Sequence, residues 1–195
     1  MTSQDGTRRI GVPTPRIDGV DKATGRAEYT PDVQLDGILW GRVLRSSVPH
    51  ARIRSIDTSG AKALPGVRAV ITGDDCDETY GILPIARFEY PLARDRVRYR
   101  GEPVACVAAV DVATAQAAID LIQFKYKELA AYYTSEDAMA DGAIDLHEHR
   151  PGNIERDVNF ELGDVGAGMG EADLVMERNY NCSEVCQVQS EPHAA

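Results

Sequence analysis

Two histidines separated by one residue, His147 and His149, are the first candidates for chemistry in this sequence. On an extended segment two such imidazoles can chelate a metal ion. No third ligand and no partner that would orient the rings is evident beside them. We therefore interpret the stretch before Arg150 and Pro151 as a solvated loop.

A second metal-like pattern lies near the end of the chain, where Cys182 and Cys186 are four residues apart and His193 follows. A structural zinc ion needs four ligands, usually supplied as closely spaced pairs, and only three candidates cluster here. On a strand this spacing places both thiols on one face, where packing accounts for them. We expect no metal site.

Glycines 163, 166, 168 and 170 invite comparison with a nucleotide-binding loop. The dinucleotide pattern G-x-G-x-x-G fails because Glu171 occupies the place of the third glycine, and no Gly-Lys-Ser/Thr follows. We interpret these glycines as a flexible turn before a short helix that ends near Asp173.

The acidic pairs Asp74-Asp75 and Asp77-Glu78 could act as bases or cation ligands. A chain with 31 acidic residues has many such pairs by chance. Catalytic triads assemble from distant segments, so spacing alone identifies none. The sequence therefore nominates no catalytic, cofactor-binding or metal-binding residue.

The composition is that of a globular protein, with 43% hydrophobic and 27% charged residues in 195. A net charge of −10 argues against binding to nucleic acid or to anionic membranes. No apolar run approaches the roughly 20 residues needed to span a bilayer, and the start lacks a signal-peptide core. With four scattered cysteines, the chain is expected to be cytoplasmic with reduced thiols.

Strands and short helices alternate along the first half of the sequence. Prolines and glycines predict an extended arm from Ile10 to Asp36, with one helical turn at Asp21–Gly25. Two strands should follow as a hairpin-like pair, at Ile38–Arg45 and Ala51–Asp57. A short helix at Ser59–Leu64 then precedes a strand at Val67–Gly73 that turns Val67, Ala69 and Ile71 to one face.

The second half contains the most regular patterns. Pro103–Asp111 is almost entirely apolar, which predicts a central strand covered on both faces. Asp111 should cap a helix over Val112–Ile122, whose apolar residues recur at helical spacing. The remaining predictions are strands at Arg96–Arg100, Lys125–Leu129 and Leu174–Val185, a short helix at Ser135–Ala140, and a long irregular loop at Asp74–Ala93. The sum favours an α+β fold.

Three long segments, Arg16–Val33, Gly41–Asp75 and Val97–Asp111, follow one another along the chain. In sequence and in order they resemble the large, molybdenum-bearing subunits of the xanthine dehydrogenase and aldehyde oxidase superfamily. The resemblance implies an α/β-hammerhead domain followed by the first strand or strands of a truncated molybdenum-binding domain. It further implies an N-terminal arm at 1–25, the hammerhead at 26–135, a connecting segment at 136–172 and the start of the molybdenum domain at 173–195.

Within that family, Tyr80–Ala105 and Asp141–Val165 are most similar to the 4-hydroxybenzoyl-CoA reductase branch. The resemblance implies reductive dehydroxylation of an aromatic acyl-CoA in anaerobic aromatic degradation, with ferredoxin as electron donor. It also implies molybdopterin cytosine dinucleotide on later domains of this subunit, FAD with an iron-sulfur cluster on a second subunit, and two 2Fe-2S clusters on a third. None of these cofactors is expected to bind this segment alone.

Two alternatives remain open. The family also contains enzymes that hydroxylate aldehydes or N-heterocycles, and the chain could instead be a complete, non-catalytic assembly module. The abrupt ending at Ser190–Ala195 leads us to expect a fragment, inactive alone, whose residues from Tyr180 onward are poorly ordered or exposed. The Asp74–Ala93 loop, with Phe88 and Tyr90, should dock on a neighbouring domain or line the substrate route, unless it packs only on itself.

Overall fold

The computed structural model describes residues 11, 13–81, 87–183, 185 and 188. It divides into two compact units, one formed by residues 37–176 and the other by residues 1–36 together with 177–195. In the second of these, helix α1 (Gly19–Thr24) lies where the helical turn is predicted. It ends at Gly25, whose left-handed φ of 73° lets the following amides return to the carbonyl oxygen of Asp21.

The larger unit contains all six strands and the other four α-helices of the described chain. The strands are β1 (Trp40–Arg45), β2 (Ala51–Asp57), β3 (Val67–Thr72), β4 (Arg96–Val97), β5 (Pro103–Ala109) and β6 (Gln123–Glu128). The helices are α2 (Ser59–Ala63), α3 (Val112–Leu121), α4 (Ser135–Met139) and α5 (Val165–Glu171). The strands form two antiparallel sheets, ordered β1-β5-β3 and β4-β2-β6, which confirms the α+β prediction.

Strand β5 is central, as its apolar sequence predicts, because both of its faces are buried. Ala105 and Val107 lie in one apolar cluster with α3, whereas Val104 lies in a second cluster with Ala51 and Val97 of the other sheet. The two clusters share the partly buried side chains of Leu44 and Ile56.

Helix α3 also begins where the sequence predicts. The Asp111 side chain accepts a hydrogen bond of 2.7 Å from the Thr114 amide, one of the amides that a helix start leaves without a partner. Ala115, Ala118 and Ile119 are buried, so the helix places mostly small side chains on the sheet. None of the helices in the described part of the chain combines the length and apolarity that crossing a membrane requires.

The predicted pairing of the first two strands is wrong. β1 pairs only with β5, while β2 pairs with β4 and β6 in the other sheet. The connection between them crosses from sheet to sheet, because the Ser46 backbone bonds to Gly101 and Glu102 instead of forming a hairpin turn. Local sequence carries no signal for those distant partners.

The predicted face of β3 is also wrong, because Val70 is its buried residue and Ile71 is 40% exposed. Val67 lies opposite Ala109 and Ala69 opposite Ala108, so β3 carries one extra residue at that point. Such a bulge reverses the alternation, and it brings Val67 and Val70 to the same apolar cluster.

The strand predicted at Leu174–Val185 is absent from its described residues, 174–183 and 185. Alternating apolar residues become a strand only when a neighbouring strand takes up their hydrogen bonds, and no described segment pairs with this one. Tyr180, Val185 and Val188 are at least 77% exposed, while all of Ser190–Ala195 lies outside the described residues.

We expect Val107→Ala to lower the free energy of unfolding by about 2 kcal/mol, since it removes two fully buried carbons and leaves a cavity in the central strand. Val43→Ala on the neighbouring strand is the matched control, because Val43 is 39% exposed and should cost less than about 1 kcal/mol. Urea denaturation measures both. Equal losses would contradict the central position of β5.

Candidate functional site

The long loop predicted between residues 74 and 93 meets the histidine segment predicted as a separate loop. The Phe88 ring packs edge-on against His149 and His147, with ring centroids 4.2 and 5.3 Å away. The Arg150 guanidinium lies 5.4 Å from the same phenyl centroid, within cation–π range. We call Phe88, His147, His149 and Arg150 the Phe88 cluster.

Two arginines from β4 and its end hold the histidine segment in place. Arg96, which is only 5% exposed, donates a hydrogen bond of 2.7 Å to the Asp145 carbonyl oxygen. Arg98 donates one of 3.2 Å to the carbonyl oxygen of Leu146. Burying a guanidinium costs free energy that hydrogen bonds to acceptors offset. The carbonyl bonds offset only part of that cost for Arg96, because its Nε atom is buried without a hydrogen-bond partner among the described residues.

Asn153 fixes the other side of this segment. Its backbone is left-handed, with φ of 57°, a conformation that asparagine tolerates better than most residues. The side chain accepts a hydrogen bond from the Leu146 amide at 2.7 Å and donates to the carbonyl oxygens of Ala138 and Ile144 at 2.8 and 3.1 Å. One amide group therefore joins three points of the chain.

Arg150 is oriented by a second contact besides Phe88. Its Nε and Nη2 atoms bond to the two carboxylate oxygens of Glu155 at 2.8 and 3.2 Å. This two-point pairing holds the guanidinium plane, although Glu155 is exposed and the pair adds little stability.

The described parts of the Asp74–Ala93 loop are tied down at both ends. Tyr80 and Glu89 exchange backbone hydrogen bonds of 2.8 and 3.2 Å. At the start, a Cβ on Gly73 would lie 2.5 Å from the Ala93 carbonyl oxygen, so only glycine permits this close approach. Residues 82–86 of the predicted loop lie outside the described part of the chain.

Two depressions flank the Phe88 cluster. One, of about 540 Å³, is lined by aromatic and charged side chains that include Tyr80, Tyr90, Tyr99, Arg94 and Glu102. The other, of about 460 Å³, is lined mainly by apolar atoms. Its lining includes Tyr132, Tyr133 and the buried His50, whose Nδ1 lies 2.5 Å from the Ala130 carbonyl oxygen. Exposed tyrosines beside arginines are typical of surfaces that bind partners.

Partial burial shifts the pKa of groups around these depressions. Desolvation lowers the pKa of His147, and the nearby positive charges of Arg98 and His149 lower it further. Desolvation raises the pKa of Glu102 despite the hydrogen bond its carboxylate accepts from the Arg98 amide. His147 is therefore mainly neutral at pH 7, where one ring nitrogen can donate a hydrogen bond and the other can accept one.

The structure describes three of the five histidines and cysteines that the sequence offers as candidate metal ligands: His147, His149 and Cys182. His147 and His149 do come together, with ring centroids 5.6 Å apart, but Phe88 packs against both. Across residues 11, 13–81, 87–183, 185 and 188, no three His, Cys, Asp or Glu residues form a group that could hold a metal ion. Cys182 is exposed, while Cys186 and His193 lie outside the described residues.

The glycine-rich stretch forms helix α5, which ends at Glu171, so the predicted short helix is present. The prediction of a flexible turn before it is wrong for Gly166, Gly168 and Gly170, because these residues lie within the helix and only Gly163 precedes it. The Asp164 carboxylate accepts the hydrogen bond from the Ala167 amide at 2.9 Å and so takes the position that a phosphate would need. Of the acidic pairs, Asp75 accepts hydrogen bonds from the Thr72 amide and hydroxyl, and Asp77 pairs with Arg94 at 3.3 Å.

Sequence reasoning missed Arg96, Arg98 and Asn153, the residues that build the site. The only local signal is an arginine at alternate positions of a strand and an asparagine after glycine in a turn. Neither signal indicates which distant carbonyl group the side chain reaches.

Comparison with known proteins identifies the family to which this fold belongs. Residues 24–130 match the family described as aldehyde oxidase and xanthine dehydrogenase, a/b hammerhead domain. This match covers more than half of the chain, and the chain belongs to that family.

Curated relatives agree. The chain is 41% identical over 167 residues to a probable xanthine dehydrogenase subunit of Bacillus subtilis, covering 85% of this chain and 22% of that protein. It is 34% identical over 187 residues to the nicotinate dehydrogenase large molybdopterin subunit of Eubacterium barkeri, covering 95% and 43%. The chain thus spans less than half the length of either relative.

A solved structure shows the same fold. The aldehyde oxidoreductase from Desulfovibrio gigas superposes with a TM-score of 0.67 at 30% identity, over 82% of this chain and 19% of that one. The hammerhead prediction is thereby confirmed.

We expect the His147 imidazole to titrate with a midpoint below its ordinary value of 6.5. Because the unfolded chain then binds the proton more readily than the folded one, the free energy of unfolding should fall as pH drops below about 7, until pH passes the lowered folded pKa. NMR titration gives the midpoint and urea denaturation at several pH values gives the slope. His147→Gln should remove this part of the slope; an unchanged slope, or a midpoint at 6.5 or above, would contradict the assignment.

Proposed function

We propose that this chain forms the hammerhead part of the molybdenum-bearing subunit of an oxidoreductase. The observation that carries the proposal is the family match over residues 24–130, supported by two antiparallel sheets with the fold of a solved aldehyde oxidoreductase. One relative is named as a large molybdopterin subunit. The scattered cysteines, of which Cys76, Cys106 and Cys182 are unbonded, support a cytoplasmic location.

Among the described residues, the start of α5 offers no free phosphate site for a molybdopterin dinucleotide. The carboxylate of Asp164 occupies the start of α5, the one helix of the described chain that follows a glycine in a loop and could resemble a phosphate site. We propose that molybdopterin cytosine dinucleotide binds to parts of the subunit outside the matched span. FAD and iron-sulfur clusters would lie on two partner subunits, with ferredoxin as the donor to the complex.

The contribution of this chain is then a surface. The Phe88 cluster and the two depressions beside it combine exposed tyrosines with arginines whose positions are fixed by hydrogen bonds. Arg96 and Arg98, in and next to β4, bond to the backbone that precedes the histidines. We propose that this surface contacts a neighbouring domain or borders the route that the substrate takes. Phe88 itself packs on the chain, whereas Tyr90 is 40% exposed and available for such a contact.

For the reaction, we propose the reductive dehydroxylation of 4-hydroxybenzoyl-CoA. Two electrons and two protons replace the phenolic hydroxyl by hydrogen and release water and benzoyl-CoA. The support is the similarity of Tyr80–Ala105 and Asp141–Val165 to that branch of the family. These two segments are the ones that meet in the Phe88 cluster.

A second candidate is hydroxylation of an aldehyde or an N-heterocycle with an oxygen atom from water. We consider it because one relative is named as a probable xanthine dehydrogenase subunit and another as a nicotinate dehydrogenase large molybdopterin subunit.

Assays of the complete enzyme complex distinguish these reactions. With reduced ferredoxin or another low-potential donor, the complex should convert 4-hydroxybenzoyl-CoA to benzoyl-CoA, which chromatography resolves. With an electron acceptor, xanthine, nicotinate and benzaldehyde should remain unchanged. Hydroxylated products would instead support the second candidate. A complex that contains no molybdenum and turns over no substrate would indicate a non-catalytic assembly module and refute the proposal.

Replacing Phe88 and Tyr90 by Ala, singly, in the complete subunit tests the surface. Phe88→Ala removes the ring that packs against both histidines, so it should change the apparent substrate affinity or the yield of assembled complex several-fold, the size expected for an aromatic contact. Tyr90→Ala should have a smaller effect on folding, because its ring is 40% exposed and faces Arg94. Tyr29→Ala, at a residue that is 37% exposed and lines neither depression, controls for the loss of a surface aromatic. Unaltered kinetics and assembly in both variants would exclude this role.

A further inference from the structure

The segment from Arg156 to Gly163 is unusual because it has no partner within the described chain. Neither its backbone nor its side chains form a hydrogen bond or ion pair with any described residue. Its apolar side chains are also exposed to solvent: Val158, Phe160 and Leu162 are 74%, 84% and 85% exposed. Three large apolar side chains within five residues form a patch of the kind that marks an interaction surface.

The spacing of these residues is that of a strand with one buried face. Val158, Phe160 and Leu162 recur at every second position, and Asp157, Asn159 and Glu161 occupy the positions between them. The segment is bounded by Glu155, which Arg150 holds, and by Gly163, whose φ of 77° turns the chain into the Asp164 cap of α5. Residues 157–162, six of the seven between these bounds, have the usual length of a strand.

Both features specify the same kind of partner. Water can satisfy the backbone of an exposed segment but not its apolar side chains, whereas the edge of a β-sheet takes up alternate backbone groups and buries one face. On the opposite face, Asp157 and Glu161 favour lysine or arginine on the neighbouring strand.

The same charges argue against a second copy of the chain. Two copies would bring together the acidic faces of two molecules that each carry a net charge of −10. The chain spans only 22% and 43% of two of its relatives, so those proteins contain much polypeptide that could supply a sheet edge.

We infer that residues 157–162 add as a strand to the edge of a sheet, with basic neighbouring residues, in a part of the molybdenum subunit other than these 195 residues. This inference rests on the proposed function, because it assumes that the chain works within such a subunit. It assigns to the segment a role in joining the hammerhead to the remainder of the subunit.

Hydrogen exchange with residue-level resolution tests the pairing. In the 195-residue chain, the amides of 157–162 should exchange as fast as those of an unstructured peptide. In the complete subunit, every second amide should be slowed by at least about 100-fold, because one edge of a strand bonds to its neighbour and the other does not. Uniformly fast exchange in the complete subunit would overturn the inference. So would protection that appears in the 195-residue chain only as its concentration rises, which would identify a second copy as the partner.

Side-chain replacement gives a second measurement. Val158→Ser with Phe160→Ser should leave the thermal unfolding of the 195-residue chain unchanged, since both side chains are exposed there, and should abolish the alternate protection in the complete subunit. Ile17→Ser is the matched control, because Ile17 is also fully exposed, at 101%, but lies in the other unit. Protection that survives the double replacement would overturn the inference.

The molybdenum content of the purified subunit separates the two proposals. A subunit that contains molybdenum but shows no alternate protection refutes the strand pairing and leaves the proposed function standing. A subunit without molybdenum and without activity refutes the proposed function itself.

Discussion

The burial of strand β5 on both faces is the constraint on which the rest of the structure depends. Val107 and Ala105 pack beneath α3, and Val104 packs against the strands of the other sheet. Small side chains make this possible, because Ala105, Ala109 and Ala118 let the helix and the sheet approach closely. A larger residue at these positions would separate the layers and with them the loops that β4 and β5 position.

From that core the candidate site follows by short steps. β4 is only two residues long, but its buried Arg96 and the adjacent Arg98 donate hydrogen bonds that fix the carbonyl groups of residues 145 and 146. His147 and His149 follow directly after those residues, and the Phe88 ring packs against both of them. The site therefore inherits its rigidity from the sheet, although nearly all of its side chains belong to loops.

The sequence predicted those parts of the fold whose causes are local. Asp111 and the apolar spacing behind it determine α3, and the unbroken apolar run of β5 determines its burial. The failures involve partners far away in the chain. The pairing of β1 with β5 rather than β2, the bulge after Val67 and the absent strand at Leu174 all depend on which segments meet. The Phe88 cluster was beyond local reasoning for the same reason, since each half resembles an ordinary surface loop.

The crossing of the chain between the two sheets has a consequence for how the domain unfolds. Leu44 before the crossing and Ile56 after it contact both apolar clusters, and Ser46 bonds to the turn that precedes β5. Neither sheet can separate from its neighbour without exposing side chains that belong to both, so the two layers form one cooperative unit. Opening either sheet therefore exposes part of both clusters, which favours unfolding of the two layers together.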